Sequence, residues 1–260
     1  MTHLRFCTAI ILSSAALHAA PEMARPATLM VEPTERILFE DFSAPELPPR
    51  WLTPKGQWKP INGVLKGLEI EAQNYTGNVR TKIDLGRTFV IRSRFQLAGA
   101  QKHVVAFDGP KGHLGRVIIE PRGFIVQKDA SQSDPSDPMR QLDAAAYDFK
   151  PRTWHTLTIE FHGDTVIAWI DDRHFVTGSD PKLDQDKVQV AFGLRGDEAK
   201  DEALLLDEIE AWRATPRADW AERRAALLAQ HAAKPTPPIA GTDHYKNAQS
   251  QKSRKATPVK

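Results

Sequence analysis

A chain of 260 residues with 41% hydrophobic content and six tryptophans holds enough apolar material for one substantial core, and its length does not force a second domain. The net charge of +2 does not point to nucleic acid: much of the excess lies after Lys234, where Lys246, Lys252, Arg254, Lys255 and Lys260 face only Asp243. That distribution reads as a solvated tail rather than a phosphate-binding surface.

The first twenty residues read as an address. Arg5 supplies a positive start, Phe6 to Leu17 an apolar run too short to anchor in a bilayer, and Leu17-His18-Ala19-Ala20 a small-residue end, so cleavage is expected after Ala19 or Ala20. The expected location is secreted or periplasmic. Cys7, the only cysteine, precedes the apolar run, which does not suit lipid attachment, and the mature chain is left without a thiol. Disulfides and cysteine-ligated metal are thereby excluded from its stability.

Residues 21–35 contain Pro21, Pro26 and Pro33 without any period and read as a linker. From Arg36 the chain becomes a series of short strands. The first covers Arg36 to Asp41, and Pro45-Glu46-Leu47-Pro48-Pro49 follows as a loop before Trp51. Trp58 to Ile61 and Val64 to Ala72 flank Asn62-Gly63, a pair that favours a type I′ hairpin turn. Further strands are predicted at 78–84, 88–97, 103–108, 116–120 and 124–128. In the longest, Phe89, Ile91, Phe95 and Leu97 share one parity, while Thr88, Arg92, Arg94 and Gln96 share the other. Asp129 to Tyr147, with Asp134-Pro135 and Asp137-Pro138, is expected to be an irregular loop. Thr153 to Phe161 and Thr165 to Asp171 pair through His162-Gly163-Asp164, and strands at 187–194 and 203–212 complete the set. Eleven or twelve strands without crossover helices make an all-β sandwich or barrel over residues 36–213. Thr215 and Pro216 suit the start of a helix over 214–233, and the proline- and lysine-rich residues 234–260 read as a disordered tail.

Several pieces in this order resemble one family. They are Phe39-Glu40-Asp41-Phe42, Gly56-Gln57-Trp58 with Asn62-Gly63-Val64-Leu65, Trp154 to Ile159 with Val166 to Asp171, and Leu206-Asp207-Glu208-Ile209. Together they resemble the concanavalin A-like domains of the 3-keto-disaccharide hydrolase family, related to family-16 glycoside hydrolases. The resemblance implies a jelly roll of two antiparallel sheets, with carbohydrate held on the concave face and glycoside hydrolysis as the activity. A non-catalytic carbohydrate-binding module and a structural or adhesive envelope domain are the alternatives.

For a retaining glycosidase, Asp207-Glu208-Ile209-Glu210 is the nearest pattern, with Glu208 and Glu210 on one face of a regular strand, but it lacks the full motif of alternating carboxylates. A 3-keto sugar needs a base and a cation to hold an enolate instead, and His103, His155 and His174 with Arg92, Arg94 and Arg195 are available. By parity His155 reads as an interior residue. No spacing matches a metal motif, and no cofactor is expected. Arg92, Arg94, Asp108, Trp169, Gln189 and Arg195 are the candidate carbohydrate-binding residues, offering donors and a stacking ring. The alternative is that the arginines solvate an outer face and Trp169 packs under a loop. The expected partner is an oligo- or polysaccharide, with no nucleic acid, no membrane span and a monomeric chain. Asn74-Tyr75-Thr76 is a formal glycosylation sequon.

Overall fold

The computed structural model describes residues 25–73 and 76–232. The export segment, the basic tail and most of the sequon lie outside the described residues. Among these residues, fifteen strands and one α-helix run in the order β1 (Val31–Glu40), β2 (Trp51–Lys55), β3 (Gln57–Ile61), β4 (Val64–Leu68), β5 (Gly77–Gly86), β6 (Thr88–Ala98), β7 (Lys102–Gly109) and β8 (Gly112–Glu120). They continue as β9 (Gly123–Lys128), β10 (Arg140–Ala146), β11 (Trp154–His162), β12 (Thr165–Ile170), β13 (His174–Ser179), β14 (Lys187–Arg195), β15 (Ala203–Pro216) and α1 (Trp220–Ala232).

The first sheet has the order β13-β12-β11-β6-β15-β4-β3, with β1 added along β15; the second has the order β10-β9-β8-β7-β14-β5-β2. All strand pairs among the described residues are antiparallel; for β3–β4, β7–β8, β8–β9 and β11–β12 the short turn between them requires it. Asn62 and Gly63 both have positive φ, 53° and 75°, the geometry of the type I′ turn their sequence favours.

The inward parity of each sheet builds the core. Phe89, Ile91, Phe95 and Leu97 of β6 face Val105 and Phe107 of β7 and Val190 and Phe192 of β14. Phe89, Phe107 and Phe161 lie with ring centroids 4.9–5.6 Å apart. Lys187 is fully buried beside them, its ammonium 4.4 Å from the Phe161 ring centre and donating to the Leu183 carbonyl at 2.6 Å. Burial lowers its pKa to about 8.

The structure differs from the sequence reading at its margins. β1 starts at Val31, inside the segment read as a linker, because Val31–Pro33 pair with Ala214–Pro216. That pairing keeps Thr215 and Pro216 in β15, so the helix begins at Trp220 rather than near residue 215. The expected irregular loop contains β10, and β13 was not predicted; both are edge strands.

A second, smaller cluster covers part of the outer face of the first sheet. Val90, Ile167, Trp169 and Trp212 project outward and are covered by Met30 and Val31, with Leu29 and Trp220 of α1 packed against them. Glu160 holds this segment in place: its carboxylate accepts the backbone N–H groups of Leu29 at 2.8 Å, Met30 at 2.7 Å and Val31 at 3.0 Å. Burial pushes the Glu160 carboxyl above its usual range, against the pull of the three donors. Glu160→Ala, which strands those donors, is expected to cost about 3 kcal/mol in a urea titration, and Glu160→Gln, which keeps one acceptor oxygen, clearly less. Equal small losses for both would show that the clasp contributes little.

Candidate functional site

The outer face of the second sheet is built differently. Across its centre, strand register aligns Arg80 of β5, Ala191 of β14, Ala106 of β7, Arg116 of β8 and Gln127 of β9 in one row. The adjoining row is Lys82, Gln189, Asp108 and His113. These positions alternate with the inward Val79, Val105, Phe107, Val117, Val190 and Phe192, so their side chains leave the core. Alanines form the floor and long polar side chains the walls.

Asp108 organises one wall. Its Oδ1 meets His113 Nδ1 at 2.5 Å, and its Oδ2 accepts a hydrogen bond from the Gln189 amide. The contact forms because β7 and β8 join through a tight turn with Gly112 at φ 112°, which brings Asp108 and His113 opposite each other. The Asp108 side chain is 16% exposed and that of His113 51%. Burial pushes the Asp108 carboxyl up, but the bonds from His113 and Gln189 outweigh it and leave the group below its usual range. The bond to Asp108 in turn raises His113. With Nδ1–H given to Asp108, Nε2 carries the lone pair, as in a histidine base oriented by a carboxylate.

Arg116 forms a second group. Its Nε and Nη2 donate to Asp129 Oδ2 at 3.0 and 2.6 Å, while the Gln127 amide donates to Asp129 Oδ1 at 3.0 Å. The guanidinium is thereby held on the same strand and face as His113. Arg80 differs, since its Nε is buried and has no hydrogen-bond partner among the described residues. An unsatisfied buried donor costs about 1–3 kcal/mol.

The six residues singled out from the sequence do not converge. Asp108 and Gln189 meet directly. Arg195 points from the same face but lies six residues along β14 from Gln189, about 20 Å away at the strand rise, with its Nε 3.7 Å from Glu69. Arg92, Arg94 and Trp169 stand on the outer face of the first sheet, across the core, where register aligns Glu210, Arg92, Thr158 and Trp169. Arg94 lies over the Trp154 ring at 5.1 Å and within 3.5 Å of Asp207 and Glu208. Trp169 is only 6% exposed, packed in the smaller cluster with its Nε1 unpartnered among the described residues. It is the packed ring of the alternative reading, not an open platform.

The other candidates are also displaced. A β-bulge between Asp207 and Glu210, with Glu208 at φ 46°, breaks the alternation that placed Glu208 and Glu210 on one face. Asp207 instead stands opposite Arg94, and Glu210 opposite Arg92, accepting from Trp212 Nε1 at 3.1 Å. His103 and His155 point between the sheets on either side of Phe95. His103 Nδ1–H donates to the Gly193 carbonyl oxygen at 3.1 Å, and burial lowers the imidazole pKa to about 4. His155 Nδ1 lies 2.7 Å from Asp171, which also accepts from Tyr147, and Nε2 of both histidines is buried without a partner among the described residues. His155 is interior, as its parity implied. His174 is on the exposed edge strand β13, its ring against Tyr147. His113, Arg116, Gln127 and Arg80 were not singled out. The usable signal was the Gly109-Pro110-Lys111-Gly112 turn, which mirrors Asp108 onto His113.

Among the described residues, no cluster of histidines and carboxylates is arranged to hold a metal ion, and no helix is long and apolar enough to cross a membrane.

No protein-family profile matches the chain, and no curated protein matches it. Solved structures do. The laminarinase from Rhodothermus marinus superposes with a TM-score of 0.54 at 13% identity, over 70% of this chain and 98% of that one. SCLam, a non-specific endo-β-1,3(4)-glucanase from family GH16, gives 0.53 at 12% identity, over 72% and 96%. The carbohydrate recognition domain of Emp47p gives 0.50 at 10% identity, over 68% and 94%. At these identities the likeness defines the fold. This protein is a concanavalin A-like jelly-roll sandwich of two antiparallel sheets with a C-terminal helix.

Proposed function

We propose that this is an exported carbohydrate-active protein that works on the outer face of its second sheet, with hydrolysis of 3-keto glycosides as the reaction the site suits best. The observation that carries this reading is the Asp108–His113 pair, with Gln189 fixing Asp108 and Arg116 held on the same strand as the histidine. A ketone acidifies the neighbouring C–H. His113 Nε2 takes that proton, and the electron pair moves toward the carbonyl oxygen, where a guanidinium such as that of Arg116 stabilises the enolate. Collapse of the enolate breaks the C1–O bond and expels the aglycone oxygen, which takes up a proton. Water adds to the resulting enone, so that the net change is hydrolysis. This chemistry does not need the pair of carboxyl groups about 5–5.5 Å apart that a retaining glycosidase requires.

A non-catalytic binding module is the second reading, favoured by Asp108 and Asp129 both being tied up in ion pairs and amide bonds. Incubating the purified protein with native and 3-keto glycosides, with and without divalent cations, separates the two. Release of aglycone from the keto substrate alone is expected. Saturable binding without release would establish the module, and neither release nor binding would remove carbohydrate from the account. Export is tested by intact mass, a chain beginning near Pro21 being the expected product.

A further inference from the structure

We infer that the carbohydrate site takes an acidic saccharide, one whose ring carries a carboxylate or sulfate ester, and that Arg80 is its anchor. This rests on the assignment of the site to the outer face of the second sheet. The carboxylates of that face are already engaged: Asp84 by Arg213, Asp108 by His113 and Gln189, Glu120 by Lys102, and Asp129 by Arg116 and Gln127. Arg80 has no such acceptor among the described residues, and its side chain is half-buried on that face. Lys82, two residues along the same strand and face, is exposed and has no ion pair among the described residues. The face therefore carries cations, Arg80 and Lys82, beyond those its own acids neutralise.

The floor between Arg80 and Arg116 consists of Ala191 and Ala106. Three strand spacings separate the two arginines, about 14 Å between backbones. Two short side chains leave that interval recessed, with room for sugar rings lying across the strands. A ring over Ala191 brings its acid group to Arg80, whose planar fork matches two anionic oxygens at once. The same placement sets the neighbouring ring beside His113 and Arg116.

The test measures binding of an oligogalacturonate, a sulfated oligosaccharide and a neutral β-glucan oligosaccharide to the wild-type protein, Arg80→Gln and Arg80→Lys by titration calorimetry. Unfolding midpoints of all three proteins are measured alongside. At least one acidic ligand is expected to bind more tightly than the neutral one, and which of them does so identifies the anion. Arg80→Gln should weaken that ligand at least tenfold and leave neutral binding unchanged, with Arg80→Lys in between and all midpoints within a few degrees. Equal binding of acidic and neutral ligands, or acidic binding unaffected in Arg80→Gln, overturns the inference and leaves the carbohydrate site standing. Failure of every ligand to bind overturns both.

Discussion

Trp169→Ala is expected to destabilise the protein by about 3–5 kcal/mol, the cost of truncating a large buried aromatic side chain, rather than to weaken glycan binding selectively. The ring is 6% exposed and packs among Met30, Val31, Val90, Ile167 and Trp212. Its truncation opens a void beneath a segment held mainly by Glu160, so Leu29 to Val31 and Trp220 lose their seat together. Trp169→Phe separates packing from any role of the indole. The indole Nε1 is buried with no acceptor among the described residues, so phenylalanine loses some apolar area but also removes a donor whose desolvation costs about 1–3 kcal/mol. The two changes offset each other, and Trp169→Phe should lie within about 1 kcal/mol of wild type. Urea titrations of both variants provide the measurement. If Trp169→Ala kept its midpoint and abolished binding of a glycan, the indole would be a ligand platform, and the carbohydrate face would belong to the first sheet.

The sandwich was readable in the sequence because its signals are local. Alternation along residues 88–97 marked one face of β6 as core, and Asn62-Gly63 fixed a hairpin by the dihedrals it favours. The strands that escaped notice are those whose stability comes from elsewhere. β10 reads Arg-Gln-Leu-Asp-Ala-Ala-Ala, with little intrinsic preference for extended structure, and exists because it pairs with β9 and because Asp143 accepts the N–H of Thr177 on β13 at 2.8 Å. Lys187 gave no sign of its burial, since a lysine at a strand end is usually solvated, and only the fold reveals the aromatic rings beneath it.

The site was less legible for a related reason. Parity tells which residues share a face of one strand, but not which sheet that strand joins. Arg92, Arg94 and Trp169 do share a face, and Asp108 and Gln189 share another, yet the whole core separates the two groups. Trp169 carried a further ambiguity, because an outward ring can be open or covered. The cover here is the Leu29–Val31 segment, 130 positions before the Glu160 that grips Met30. His113 was overlooked because it follows a turn, where a polar residue needs no explanation. Its meaning comes only from the strand pairing that places it against Asp108.

His113→Ala is expected to lower kcat on a 3-keto glycoside by roughly 10²–10⁴-fold, the range for loss of a general base, with a much smaller change in KM. The base must be neutral to accept a proton, so activity rises with pH through the His113 pKa. Asp108 raises that value, which places the rising limb above the ordinary histidine value of about 6.5. Asp108→Asn removes the charge and the hydrogen bond responsible, so it should move the limb to lower pH while reducing the plateau. A merely structural aspartate would reduce the plateau without moving the limb. The stability linkage has two sides. Asp108 is lowered, so its contribution is lost as pH falls through its folded value; His113 is raised, so its contribution is lost as pH rises through its own. Between those limits the pair is ionised and strongest, yet turnover belongs to the upper edge of that window, where His113 gives up its proton and the pair weakens. Activity that peaks well inside the window, or a His113→Ala variant with undiminished kcat, would exclude this histidine as the base and leave Asp108, His113 and Gln189 as a binding wall.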